Sequence, residues 1–132
     1  MNISFVDRYR YFVYRQPCDM RKGYDSLSGL VTNELKMDPL SGDVFIFISN
    51  RRDKIKILHW QGDGFAIYCK RLEAGTFEII KDTSAENNIE ITSSQLQFIL
   101  SGIYLSSIKK RKRYEHENVS KYIVESTVSR AS

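Results

Sequence analysis

The sequence predicts an α+β domain: an antiparallel β-sheet with a basic central hairpin, covered on one face by two α-helices. Three observations carry that expectation. Within residues 46–72, two apolar-alternating segments studded with lysine and arginine flank the turn Gln61-Gly62-Asp63-Gly64. Val44 to Ile48 is an uninterrupted apolar run, as a central strand requires, and two further stretches repeat their apolar residues with helical spacing.

Tyr9 to Arg15, rich in aromatic and β-branched residues, reads as the first strand, ending near Gln16-Pro17. Asp19 is placed to cap a helix from about Arg21 to Leu35, in which Met20, Tyr24, Leu27, Val31 and Leu35 form one apolar stripe. Gly23 and Gly29 weaken it slightly. Asp38-Pro39 stops the helix, Ser41-Gly42 turns the chain into the Val44–Ile48 run, and Asn50-Arg51-Arg52-Asp53 makes the next turn.

The hairpin follows. Because strand side chains alternate, Lys54, Lys56, Leu58 and Trp60 share one side, and Ile55, Ile57 and His59 the other. The returning strand separates Phe65, Ile67 and Cys69 from Ala66, Tyr68 and Lys70. One face is thus expected to be cationic and the other buried. Thr76 to Ile80 and Ile89 to Ile91 are short candidate strands, joined by a polar stretch from Asp82 to Asn88 that is expected to be mobile. Thr92-Ser93-Ser94-Gln95 is a capping-box pattern, and Leu96, Ile99, Leu100 and Ile103 continue it as a helical face, with Gly102 near the end. Residues 1–105 form the expected single domain, and 106–132 a basic tail expected to be flexible.

Bulk properties narrow the function. The 132 residues, 42% of them hydrophobic, suffice for one core, and no apolar run approaches the roughly 20 residues needed to span a bilayer. No membrane role and a cytoplasmic location are expected. Cys18 and Cys69 lie far apart with no CxxC pair, which fits reduced thiols better than zinc or a disulfide frame. Residues 1–104 hold 13 Lys/Arg against 13 Asp/Glu, so the net charge of +4 resides in the tail. A basic face on the body must therefore arise by segregation of charge.

Arg51, Arg52, Lys54, Lys56, Lys70 and Arg71 are the candidate nucleic-acid contacts, with Arg21 and Lys22 as neighbours if the helix start packs nearby. The plainer reading of these cations is a solvated sheet face that resists edge pairing. Trp60 is a candidate for stacking on an unpaired base, and His59 accompanies it; the commoner roles are packing for the indole and a hydrogen-bonded, half-buried imidazole for His59. Lys109, Lys110, Arg111, Lys112 and Arg113 form a block able to hold any polyanion without specificity, or simply to solubilise the tail.

Catalysis is not expected. The sole acid-x-Lys spacing of the kind used in metal-dependent nucleases, Glu34-Leu35-Lys36, falls at the end of a helix, where it would point wrongly. With His59 and His116 as the only histidines, nothing points to a metal site, and no cofactor is expected.

Several blocks in fixed order carry a resemblance: Asp19-Met20-Arg21-Lys22-Gly23, Asp38-Pro39-Leu40-Ser41-Gly42, the 46–72 hairpin, and Lys70-Arg71-Leu72-Glu73-x-Gly75-x-Phe77. From about Tyr11 to Ile103 the chain resembles the small accessory proteins, often called TnpB, encoded by the second open reading frame of insertion sequence 66 type mobile elements. The resemblance implies a role in transposition beside a separate, larger transposase. Two departures stand out. That family usually continues after Phe77 with Trp-Pro, where this chain has Glu78-Ile79, and it typically stops soon after the helix of Gln95 and Leu96, where this chain runs on to Ser132.

The expected function is that of a non-catalytic accessory protein of transposition that binds mobile-element DNA through the basic hairpin. The alternative is a protein-interaction module that docks on the transposase, or on another element-encoded protein, through Tyr9, Tyr11, Tyr14 and Trp60 without touching DNA. Neither reading fixes the oligomeric state.

Overall fold

Aromatic and β-branched residues give β1 (Tyr11–Tyr14), β2 (Val44–Ile48), β3 (Lys54–Trp60), β4 (Phe65–Arg71) and β5 (Asn88–Ile91), joined in one sheet of order β4-β3-β2-β1-β5. The structure is a computed structural model that describes residues 6–78 and 86–102. Helices α1 (Tyr24–Asn33) and α2 (Ser93–Ser101) complete it.

The sheet is mixed, not antiparallel. β1 and β2 pair in parallel, Tyr11 opposite Val44 and Val13 opposite Ile46, because α1 intervenes and carries the chain back to the starting edge. The other pairings are antiparallel. The hairpin is therefore not central. β2 holds the middle of the sheet, and β4 forms one of its edges.

Nor do the two helices share a face. Leu27, Val31 and Leu35 pack with Phe12, Phe45, Phe47 and Leu58 on one side. Leu96, Ile99 and Leu100 pack with Tyr11, Val13, Ile46, Ile55 and Ile57 on the other. All residues of β1 and β2 are buried, so alternate side chains face opposite cores and each face needs its own cover.

The local signals fare unevenly. Thr92 and Gln95 form the expected capping box, and α2 ends at Gly102 with φ 77°. Helix α1 starts later than its apolar stripe suggested: Gly23 occupies the N-cap without a side-chain bond, and Asp19 instead closes the preceding turn by accepting from the Arg21 backbone N–H at 2.9 Å. Tyr24, expected on the buried stripe, is 51% exposed. Thr76 to Glu78 is irregular chain, not strand, although Phe77 is fully buried. The end of that candidate strand, Asp82 to Ala85 of the polar stretch, Ile103 and the basic tail lie outside the described residues.

Candidate nucleic-acid interface

At one end of the hairpin the chain builds a cationic mouth on a rigid turn. Ser49 organises it: its backbone N–H donates to the Lys54 carbonyl at 3.0 Å, while its hydroxyl accepts from the Lys54 N–H at 3.1 Å and donates to Asp53 Oδ1 at 3.2 Å. Arg52 sits in the left-handed region at φ 63°, a conformation that costs a non-glycine residue roughly 1 kcal/mol. Its backbone is fixed on both sides. Its N–H donates to the Ser49 carbonyl at 2.9 Å, and its carbonyl accepts from the buried Phe77 N–H at 2.6 Å. The Arg51 and Arg52 side chains are exposed and have no ion-pair partner among the described residues.

The loop before α1 forms the second wall, docked by the Cys18 N–H on the Ile48 carbonyl at 2.9 Å. There Arg21 grips Asp19 through Nη2 at 2.7 Å and through Nε, which holds the Asp19 carboxyl well below the usual carboxylate range. Lys54 lies 3.5 Å from Asp53; desolvation opposes ionisation of that carboxyl, yet Lys54, the Ser49 hydroxyl and a backbone bond together hold it low. Arg71 pairs with Glu73 at 3.1 Å, both exposed.

Two hollows meet at this end. One, of about 420 Å³, is lined by Arg21, Arg51 and Lys54; the other, of about 290 Å³, by Lys54, Lys56 and Arg71; Met20 and Lys54 border both. The expected residues thus converge, with three acids among them: Asp19, Asp53 and Glu73. Arg52 turns aside, to a smaller hollow beside Gln16 and Pro17.

Two of the lysines are committed elsewhere. Lys56 Nζ donates to the Lys22 carbonyl at 2.7 Å, tying the hairpin to the entry of α1. Lys70 Nζ donates to the Leu100 carbonyl at 2.8 Å, at the C-terminal end of α2, where the helix dipole favours a cation. Since Lys70 opposes Ile55 and Lys56 opposes Cys69, the two ammonium groups serve opposite faces. The hairpin accordingly has no single cationic face.

His59 and Trp60 lie at the far end, about 20 Å along the seven-residue strand. His59 is 7% exposed, its ring edge-on to Tyr9 at 4.6 Å. Burial lowers its pKa, and the neutral ring donates from Nε2 to the Gly42 carbonyl at 3.1 Å. Trp60 packs edge-on against Phe65 at 5.0 Å. Tyr11 and Tyr14, expected at an exposed interface, are buried in the two cores.

Residues 9–110 match the family described as IS66 Orf2-like protein. The chain belongs to that family. Among its relatives, this IS66 Orf2-like chain is 29% identical to the uncharacterized protein y4jC of Sinorhizobium fredii over 102 residues, covering 77% of this chain and 86% of the relative. To the uncharacterized protein y4hO of the same organism it is 35% identical over 85 residues, covering 64% and 72%. No solved structure matches. Family membership implies an accessory role in transposition.

Among the described residues of the IS66 Orf2-like chain, no three His, Cys, Asp or Glu side chains gather as a metal site requires, and no helix is long and apolar enough to cross a membrane. Glu34, of the acid-x-Lys triplet, is the C-cap of α1, and Leu35 between it and Lys36 is buried. The features that sequence reasoning missed are the Asp19–Arg21 clamp and the place of Met20 between the two hollows. An acid two residues before an arginine in a turn was the available signal for the first.

Proposed function

We propose that this protein is a non-catalytic accessory of transposition that binds the phosphate backbone of mobile-element DNA through the mouth formed by Arg21, Arg51, Lys54 and Arg71. The observation that carries the reading is the convergence of these side chains, from three separated parts of the chain, on a body with equal numbers of cations and anions. Guanidinium groups on a pinned backbone suit phosphate, since they keep their charge and lose little freedom on binding. Asp19, Asp53 and Glu73 already pair with Arg21, Lys54 and Arg71, so phosphate competes with them for those side chains. Arg52 and the block Lys109 to Arg113 add non-specific attraction.

Docking on the transposase without DNA is the weaker reading, because two of the four aromatics it relied on are buried; among the described residues Tyr24 and Leu40 are the exposed large apolar residues instead.

The test is binding of the full chain, with Lys109 to Arg113 replaced by Gln, to element-end and scrambled duplexes across a salt series. Binding that weakens steeply with salt, and whose slope falls on replacing Arg51 and Lys54 with Ala, supports the reading. Binding that disappears with the tail charges overturns it.

A further inference from the structure

Backbone phosphates need only a cationic rim, yet hollows lie behind the rim of the mouth. The larger, of about 420 Å³, falls within the roughly 300–1,000 Å³ of sites that take small organic groups. Its lining includes the buried Cys18 and the half-buried Met20, which packs against the core on the α1 side. Met20 also borders the smaller hollow, beside the exposed Cys69.

The polar groups of the larger hollow suit a base better than a phosphate. Asp19 and Asp53 line it, and their neighbours hold both carboxyls ionised, so a phosphate placed inside meets two like charges. Asn50 lines it too, exposed, and its side-chain amide has no hydrogen-bond partner among the described residues. An amide offers donors and acceptors together, the complement of a nucleobase edge, and carboxylates favour the amino groups that such an edge carries. Arg51 brings a planar guanidinium able to lie on a base face, and the Met20 thioether is a soft contact for an aromatic ring.

We propose that the mouth takes unpaired DNA: a base enters the larger hollow against Met20 and Arg51 with its edge toward Asn50, and the adjoining phosphates lie on the rim at Arg21, Lys54 and Arg71. The proposal rests on the reading of the mouth as a DNA site and names the form of DNA it prefers. In a duplex the base faces are covered by stacking, so phosphates alone reach the rim unless a nucleotide leaves the stack. Aromatic rings, the usual platforms for single strands, line neither hollow among the described residues. Met20 and Arg51 take their place, since Trp60 stands at the far end of β3.

Fluorescence anisotropy on the full chain, with Lys109 to Arg113 replaced by Gln, compares three probes of matched length: an unstructured single strand, the same strand made abasic throughout, and its duplex. The base-bearing strand is expected to bind about tenfold more tightly than either of the others. Asn50→Ala and Met20→Ala each reduce that preference about fivefold and leave the abasic strand bound as before. Asn50 is exposed, so its replacement keeps the fold and the test holds should Met20→Ala prove unstable. Equal affinity for the base-bearing and abasic strands, with a salt slope that still falls on replacing Arg51 and Lys54 with Ala, overturns the proposal and leaves the mouth a phosphate site. A preference for bases that survives both substitutions overturns it as well, and its loss in Trp60→Ala moves the bases to the far end of the hairpin. Absence of binding to all three probes overturns this proposal and the DNA-binding reading together.

Discussion

The mouth of the β3–β4 hairpin and the interior of its strands both carry cations, and the two sets have opposite fates. Arg51 and Arg52 stand on a turn pinned by backbone bonds from Ser49 and Arg52, and their exposed guanidinium groups have no ion-pair partner among the described residues. Lys56 and Lys70 emerge from the strands onto the two sheet faces, where each meets a helix end and its ammonium is taken up by a backbone carbonyl. Charge of one sign and similar spacing therefore gives a surface in one place and a clamp in the other. What decides between them is whether a backbone acceptor lies within reach of the side chain.

Mutations separate the two sets. The largest effect is expected from replacing Arg21, Arg51 and Lys54 together with Ala: the slope of log affinity against log salt for duplex DNA falls by about 2.7, at 0.9 for each lost phosphate contact. A salt titration of binding checks it, and an unchanged slope would remove the mouth from consideration. Lys70→Met and Lys56→Met should do the reverse, each lowering stability by about 1 kcal/mol in denaturant unfolding while leaving the salt slope alone. Arg52→Gly sharpens the contrast further. It removes a cation from a left-handed position, so stability should stay unchanged or rise by up to about 1 kcal/mol, while the affinity for DNA drops.

The smallest effect concerns the other end of the hairpin. The pKa of His59 in the folded protein lies below its ordinary 6.5, chiefly through desolvation, so the unfolded chain binds the proton more readily. Stability from this residue is complete above pH 6.5 and is lost as pH falls through the folded-state value. Thermal melts across that range should show the decline in the parent protein and a flatter profile in His59→Gln.

Much of the fold was legible in the residues because its signals are local. The Val44–Ile48 strand, both arms of the hairpin and the Thr92–Gln95 capping box follow from alternation, turn residues and a side-chain oxygen three positions from its donor. The same apolar run in β2 also held a sign that the sheet is covered twice, since a strand with one wet face would alternate. Parallel pairing of β1 and β2 was not legible, because direction depends on how α1 returns the chain, and its stripe of Leu27, Val31 and Leu35 suits either face.

The candidate site divides along the same line. By itself the sequence determined which residues carry charge, that the body has no excess of it, the period of each strand, and hence which side chains share a face of the hairpin. Tertiary structure alone decided that Arg21 joins Arg51 and Lys54 around Met20, that Lys56 and Lys70 end on carbonyls 34 and 30 residues away in sequence, and that His59 is buried. The reason is one of range. Alternation and capping act over two to four residues, whereas partner choice for a long cationic side chain depends on which distant backbone the packing of the two cores brings beside it.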